Sequence, residues 1–496
     1  MELSDAHIGF IGLIAMFALL FLRMPVALSM MVVGFLGAWA IEGPHRAFIY
    51  LSTETFDIAT FQTLSIVPMF ILMGNLAGIS GMSRDLYRAA YAWFGHFRGG
   101  LASATILGCA GFAAVSGSSV AGAVTMGRVA LPEMERYKYS PSLATGSVAA
   151  GGTLGILIPP STGMIIYAIL TETSIGELFV AGVLPGILLT GLFLVAIGIV
   201  TRLNPAAGPA GAKSSWHERF TSLYGAFALI GIVIITIGGI YAGLFTPVEA
   251  AGIGAFITFL VALAKGAISA VQGPMPAAAG AAASADTASP AYVLRAAVDS
   301  LKLRQTILHT LRTTATVFMI LIGAHVFIPF MALSGVPEII VGFLTGLDVG
   351  KIGIIIIILL TYVALGTFLE GLAMLVLTLP IVFPLIQELG MGLIWFGVVI
   401  VIVLEMGLIS PPVGVNVFIV KGIAPHVPMT TIFAGIWPFW FAMGICLAIL
   451  VAFPVIATQL PCMAFDGLSL GECWEAAPSV LDPPPEDLGP DLGPPA

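Results

Sequence analysis

Charge is what this 496-residue sequence has least of: Asp, Glu, Lys and Arg together make up 9% of it. Soluble domains carry roughly 25%, and so few ionised side chains cannot cover a water-facing surface, so a soluble enzyme is excluded. Cysteine is scarce as well. Cys109 and Cys446 stand in apolar sequence, Cys462 and Cys473 stand near the C-terminus, and no metal-ligand spacing relates them. No basic patch suggests nucleic acid. After Leu460 there is no Lys or Arg, whereas seven acids from Asp466 to Asp491 carry most of the net charge of −8. The Pro-rich segment 459–496 therefore reads as a solvated, disordered tail outside the mechanism. The period-two alternation of a membrane barrel is also missing.

What the sequence has is apolar length: 59% of its residues are hydrophobic. Runs at 8–22, 178–201, 222–243, 352–365 and 393–404 recur along the chain, and several approach the roughly 20 residues that cross about 30 Å of hydrocarbon as helix. Backbone polar groups in lipid must be satisfied within the segment, so the fold class is all-α and polytopic. Counting the runs gives ten or eleven full spans besides interrupted ones. The first run lacks a basic n-region and a small-residue cleavage site, so it is expected to be a retained helix.

The chain divides into halves at 266–312. Within that gap the Ala-rich linker 271–290 is low-complexity, and 291–308 alternates apolar and charged residues at helical spacing, as an interfacial helix would. The halves resemble each other. Gly155-X-X-X-Pro159-Pro160 and Gly407-X-X-X-Pro411-Pro412 are offset by 252, and Pro132 with Pro384 and Ala121 with Ala373 keep that register. One residue further on, 181–185 (AGVLP) aligns with 434–438 (AGIWP).

A Pro-Pro pair inside an apolar span removes donors and breaks the helix. The freed carbonyls are tolerated only against protein, water or an ion, and broken helices at matching positions of two repeats point to a transporter's binding site. A proline kink alone would explain one such segment but not two in register. Upstream of each break lies a second irregularity, the Ser116-Gly117-Ser118-Ser119 cluster and the segment 366–380. Each reads as the tip of a re-entrant hairpin, although small residues also serve helix packing.

Two acids interrupt apolar sequence. Glu370 occupies the repeat position of Ser118; a cation-binding role and a hydrogen bond to its own hairpin are both open. Glu405 precedes the second break and could hold the unwound segment together. Asn416, just beyond it, could contact substrate or cap the half-helix.

These residues, PPST and LEMGLISPPVGVNVF with VSGSSVAG and GTFLEGLA upstream, resemble the large membrane subunit of tripartite ATP-independent periplasmic (TRAP) transporters over about residues 5–458. The resemblance implies sodium-driven uptake of an organic anion, usually a carboxylate, by an elevator in the inner membrane. It implies two partners, a periplasmic substrate-binding protein and a small membrane subunit, the latter expected as a separate chain. By motif, one sodium site would use Ser116 and Ser118 with carbonyls near Gly155, Ile158 and Pro160. The other would use Gly366, Thr367 and Glu370 with carbonyls near Gly407, Ser410 and Pro412. Ser119, Ser161, Thr162 and Asn416 become the candidate substrate contacts.

The expected organisation is scaffold at 1–95 and 203–345, transport repeats at 96–202 and 346–458, and the tail from 459. A stand-alone divalent-anion symporter is the nearest rival. An intramembrane serine enzyme acting through Ser116 would need an activating base, and neither His309 nor His325 has an Asp neighbour in sequence.

Overall fold

The computed structural model describes residues 4–272, 298–299, 301–347, 349–469 and 471–473. Among them the regular structure is helical throughout, with no strand. In chain order the helices are α1 (Asp5–Phe21), α2 (Val26–Glu42), α3 (Pro44–Thr60), α4 (Ile66–Ile79), α5 (Met82–Phe94), α6 (Gly100–Ser116), α7 (Ser119–Arg136), α8 (Pro141–Leu157), α9 (Thr162–Thr171) and α10 (Ile175–Leu203). The second half continues with α11 (Trp216–Tyr241), α12 (Pro247–Gln272), α13 (Leu303–Ser334), α14 (Val336–Thr345), α15 (Gly350–Gly366), α16 (Gly371–Glu388), α17 (Leu393–Leu408), α18 (Val415–Ile423), α19 (Met429–Ala452) and α20 (Val455–Pro461).

Eight helical segments among the described residues are long and apolar enough to cross a membrane, fewer than the ten or eleven spans counted from apolar runs. The runs at 8–22, 352–365 and 393–404 fall in α1, α15 and α17, helices of 16 to 17 residues. Two of these are a hairpin arm and a half-helix rather than full spans. Periodicity cannot distinguish them, because each is continuously apolar.

α6 with α7 and α15 with α16 form the two hairpins; α8–α9 and α17–α18 are the two broken helices. α8 is buried along almost its whole length, packed between α6, α7 and α19. Small residues let these backbones approach. Around it, α2 packs along α13, α4 along α12, and α11 against α12 and α5. The helix α5 thus lies between α11 on one side and α6 and α7 on the other.

The interfacial helix expected at 291–308 needs correction where it can be followed. Residues 291–297 lie outside the described residues, but Leu303–Leu308 open the 32-residue α13; their one charge, Arg304, sits at the end of a spanning helix. The linker is outside the described residues from 273 onward. The tail also differs from expectation at its start. α20 leads into one π-helical turn, Cys462–Asp466, and a Cys462–Cys473 disulfide closes the segment. The prolines and acids that suggested disorder are concentrated beyond Cys473, outside the described residues.

The charges are sorted by end. Fifteen of the eighteen Lys and Arg residues lie toward the end where the α4–α5, α7–α8, α10–α11 and α18–α19 connections meet. Arg46 and Lys351 lie toward the other end, which also carries the disulfide, and Arg295 is outside the described residues.

Candidate functional site

The first hairpin turns at Gly117, whose φ of 58° places it in the left-handed region that glycine adopts without strain. Its tip locks into the first helix break. Thr162 Oγ1 donates to the Gly117 carbonyl at 2.9 Å, and a Cβ at Gly117 would sit 2.7 Å from the Pro160 carbonyl oxygen. A Cβ at Gly155 would sit 2.5 Å from the Ser118 carbonyl oxygen. The carbonyls of Gly117, Ser118 and Pro160 are therefore gathered around one tip, and Pro159 and Pro160 are buried there.

The side chains at this break divide into committed and uncommitted. Ser118 caps α7, accepting from Ala121 N at 3.4 Å, and Ser161 caps α9, accepting from Met164 N at 3.2 Å. Ile158 ends α8 in an extended conformation and packs on Gly186. Ser116, the last residue of α6, is buried with its hydroxyl unpaired.

The second repeat repeats the joint with different chemistry. Gly366 at the end of α15 and Gly407 in α17 meet backbone to backbone: a Cβ on Gly407 would lie 2.7 Å from Gly366 Cα. Thr367 Oγ1 donates to Ala364 O at 2.8 Å. Ser410 Oγ donates to Met406 O at 2.7 Å and accepts from Trp440 Nε1 at 2.9 Å, so its hydroxyl is committed. Pro411 and Pro412 are exposed, unlike their counterparts. Both Pro-Pro peptide bonds are cis.

Glu370 stands at the N-cap position of α16, exposed in the isolated chain, and caps nothing with its side chain. The hydrogen bond to its own hairpin is therefore not the arrangement adopted. Glu405 is the buried acid instead. It is 1% exposed and neither carboxylate oxygen meets a hydrogen-bond partner, although the Ser119 hydroxyl faces it across the repeat interface. Asn416 is fully buried at the start of α18 with both amide atoms unpaired. Leu372, opening α16, stands against Gly163, opening α9, so the tip of the second hairpin adjoins the first break.

Unpaired buried polar atoms are uncommon in folded proteins and costly. Among the described residues there are nine such side-chain atoms, and five belong to Ser116, Glu405 and Asn416. Sequence reasoning identified all three but underweighted Glu405 against Glu370, because burial is invisible in a run where every neighbour is apolar. It missed Trp440, which fixes Ser410 from 30 residues away and carries no local signal. No group of three or more His, Cys, Asp and Glu side chains gathers to hold a metal among the described residues. The site is carbonyl-, hydroxyl- and amide-rich, suited to a hard monovalent cation or polar solute rather than a transition metal.

Paired hairpins interlocked with paired helix breaks inside a bundle of spanning helices define a polytopic membrane carrier rather than an enzyme. The comparisons make this specific. Residues 13–456 match the family model described as tripartite ATP-independent periplasmic transporter, DctM component, and the chain belongs to that family. It is 33% identical over 414 residues to the C4-dicarboxylate TRAP transporter large permease protein DctM of Pseudomonas aeruginosa, covering 83% of this chain and 89% of the relative. It is 30% identical to the sialic acid TRAP transporter large permease protein SiaM of Vibrio cholerae (89% and 96% covered). The ectoine TRAP transporter large permease protein TeaC of Halomonas elongata is 28% identical (91% and 98% covered). The fold matches the YdaH transporter of Alcanivorax borkumensis with a TM-score of 0.53 at 16% identity, over 86% of this chain and 90% of that one. The chain is thus a multi-pass inner-membrane permease, the large subunit of a TRAP transporter, and the family favours this reading over a stand-alone symporter.

Proposed function

We propose that the chain drives sodium-coupled uptake of an organic anion by an elevator movement, receiving its substrate from a periplasmic binding protein and completed by a small membrane subunit. The observation that carries the sodium reading is the pair of joints, each bringing backbone carbonyls of a helix break against a hairpin tip, with Ser116, Glu405 and Asn416 buried and unpaired beside them. Buried oxygens without protein donors are what a sodium ion satisfies. One ion would use Ser116 with carbonyls near Ser118, Gly155, Ile158 and Pro160; the other would use Thr367 and Glu370 with carbonyls near Gly366, Gly407, Ser410 and Pro412. Substrate would lie beside Ser119, Ser161, Thr162 and Asn416, where the half-helix α9 presents its N-terminus to an anion.

The relatives named for C4-dicarboxylate and sialic acid support a carboxylate substrate. The relative named for ectoine shows that the permease fold accompanies more than one solute class, in keeping with selection by the binding protein. The interlocked repeats, 96–202 and 346–458, would move as one unit against 1–95 and 203–345. The basic end faces the cytoplasm under the positive-inside rule, and the disulfide at the opposite end falls in an oxidising compartment, as such bonds require. Uptake by the reconstituted chain with its partners should require an inward sodium gradient. Undiminished uptake without sodium under a proton gradient would overturn the coupling.

A further inference from the structure

At the basic end a cavity of about 480 Å³ opens between α5 and α7. α5 contributes Arg84 and Arg88, one turn apart; α7 contributes Arg128 and Arg136, two turns apart on one face. One carboxylate, Glu133, shares the lining. None of the four guanidiniums forms an ion pair or hydrogen bond among the described residues. The neighbouring Asp85 is engaged elsewhere, with Lys265. Like charges at i and i+4 repel, and four such groups around one cavity hold together best about a shared anion.

A second observation points into the same cavity. Tyr87 is 4% exposed and lines the cavity, and its hydroxyl meets no hydrogen-bond partner, although the Thr105 side chain faces it. Tyr91 and Tyr137 beside it are satisfied, joined hydroxyl to hydroxyl at 3.0 Å. Just beyond, Trp93 meets Trp216 and Phe220 edge to face, with Arg219 stacked 4.9 Å from the Trp216 ring centre. Such rings mark headgroup depth, and guanidiniums bind phosphate bidentately.

We propose that this cavity binds the phosphate of an anionic phospholipid, held by Arg84, Arg88, Arg128 and Arg136 with the Tyr87 hydroxyl as a further donor. The lipid bridges the amphipathic helix α5 and the hairpin arm α7 across the boundary between the static and moving units, and so favours the arrangement of the two seen in this structure. Basic cavities between membrane helices on the cytoplasmic side are known to accept such headgroups. The inference stands apart from the sodium reading, since it uses none of the same residues.

The test is native mass spectrometry of the full chain in neutral detergent, titrated separately with phosphatidylglycerol, phosphatidylcholine and inorganic phosphate. Wild type is expected to retain phosphatidylglycerol in preference to phosphatidylcholine. Arg88→Gln/Arg136→Gln should weaken that binding at least tenfold, whereas Lys138→Gln/Lys213→Gln at the same end should leave it unchanged. Equal binding of both lipids, or loss in both variants alike, would reduce the effect to general surface charge and overturn the proposal. Inorganic phosphate bound as tightly as phosphatidylglycerol would overturn the lipid as its source. Tyr87→Phe, which removes one oxygen, is expected to weaken phosphatidylglycerol severalfold, and this reading decides the matter should the double variant not fold.

Discussion

Gly155→Ala tests the joint between hairpin and helix break most directly. The added methyl carbon would lie 2.5 Å from Ser118 O, 2.6 Å from Ser118 C and 2.8 Å from Ser119 N. All three are backbone atoms, so no side-chain rotation relieves the overlap and the tip must move. Overpacking of this kind costs about 1–3 kcal/mol, and the helix-propensity gain of Gly→Ala returns at most about 1 kcal/mol. With the obstruction entirely backbone, a net cost near 2 kcal/mol is expected. If the displaced carbonyls ligate sodium, that cost appears as a rise of about thirtyfold in the sodium concentration for half-maximal uptake. Gly198→Ala, in α10 with nothing within 4 Å of its Cβ, is the matched control and should be neutral or slightly stabilising. The assay is substrate accumulation in proteoliposomes against sodium concentration, with surface yield and detergent melting temperature measured alongside. Wild-type sodium dependence and melting in Gly155→Ala would refute the claim that the tip rests on this helix.

The remaining expectations follow the same geometry. Glu370→Gln should raise the half-maximal sodium concentration more than Ser118→Ala, since the serine hydroxyl already serves as an N-cap worth about 1 kcal/mol of local stability; the reverse order in a sodium titration would remove Glu370 from the site. Asn416→Ala should lower uptake without lowering melting temperature, because its amide holds no protein partner; a destabilised protein with normal uptake would make it a packing residue. Removal of residues 474–496 should leave insertion and uptake near wild type, and an inserted but inactive truncation would show that the tail takes part. After mild reduction of intact cells, a membrane-impermeant maleimide should label Cys462, released from its disulfide, but not the buried Cys109 and Cys446; labelling only after lysis would invert the proposed orientation.

Much of the architecture was legible because its determinants are local. Scarcity of charge demands lipid, continuous apolar runs demand helices, and Pro-Pro in register demands paired breaks, each without reference to a distant residue. The hairpin tips were visible for a related reason, as glycine and serine interrupting sequence that otherwise had no cause to stop. What the linear pattern could not convey was which apolar helix spans and which ends at a tip, since α15 and α17 are as hydrophobic as any full span. Nor could it rank two acids set in equally apolar runs. Glu370 stands exposed at a tip while Glu405 is enclosed, a difference made by helices packed around them from elsewhere in the chain. The Trp440 clamp on Ser410 and the arginine-lined cavity likewise exist only through chain paths that bring separate elements together. Residue chemistry sets what each segment can do alone, whereas burial and convergence are properties of packing, which decided where the unpaired oxygens of Ser116, Glu405 and Asn416 came to lie.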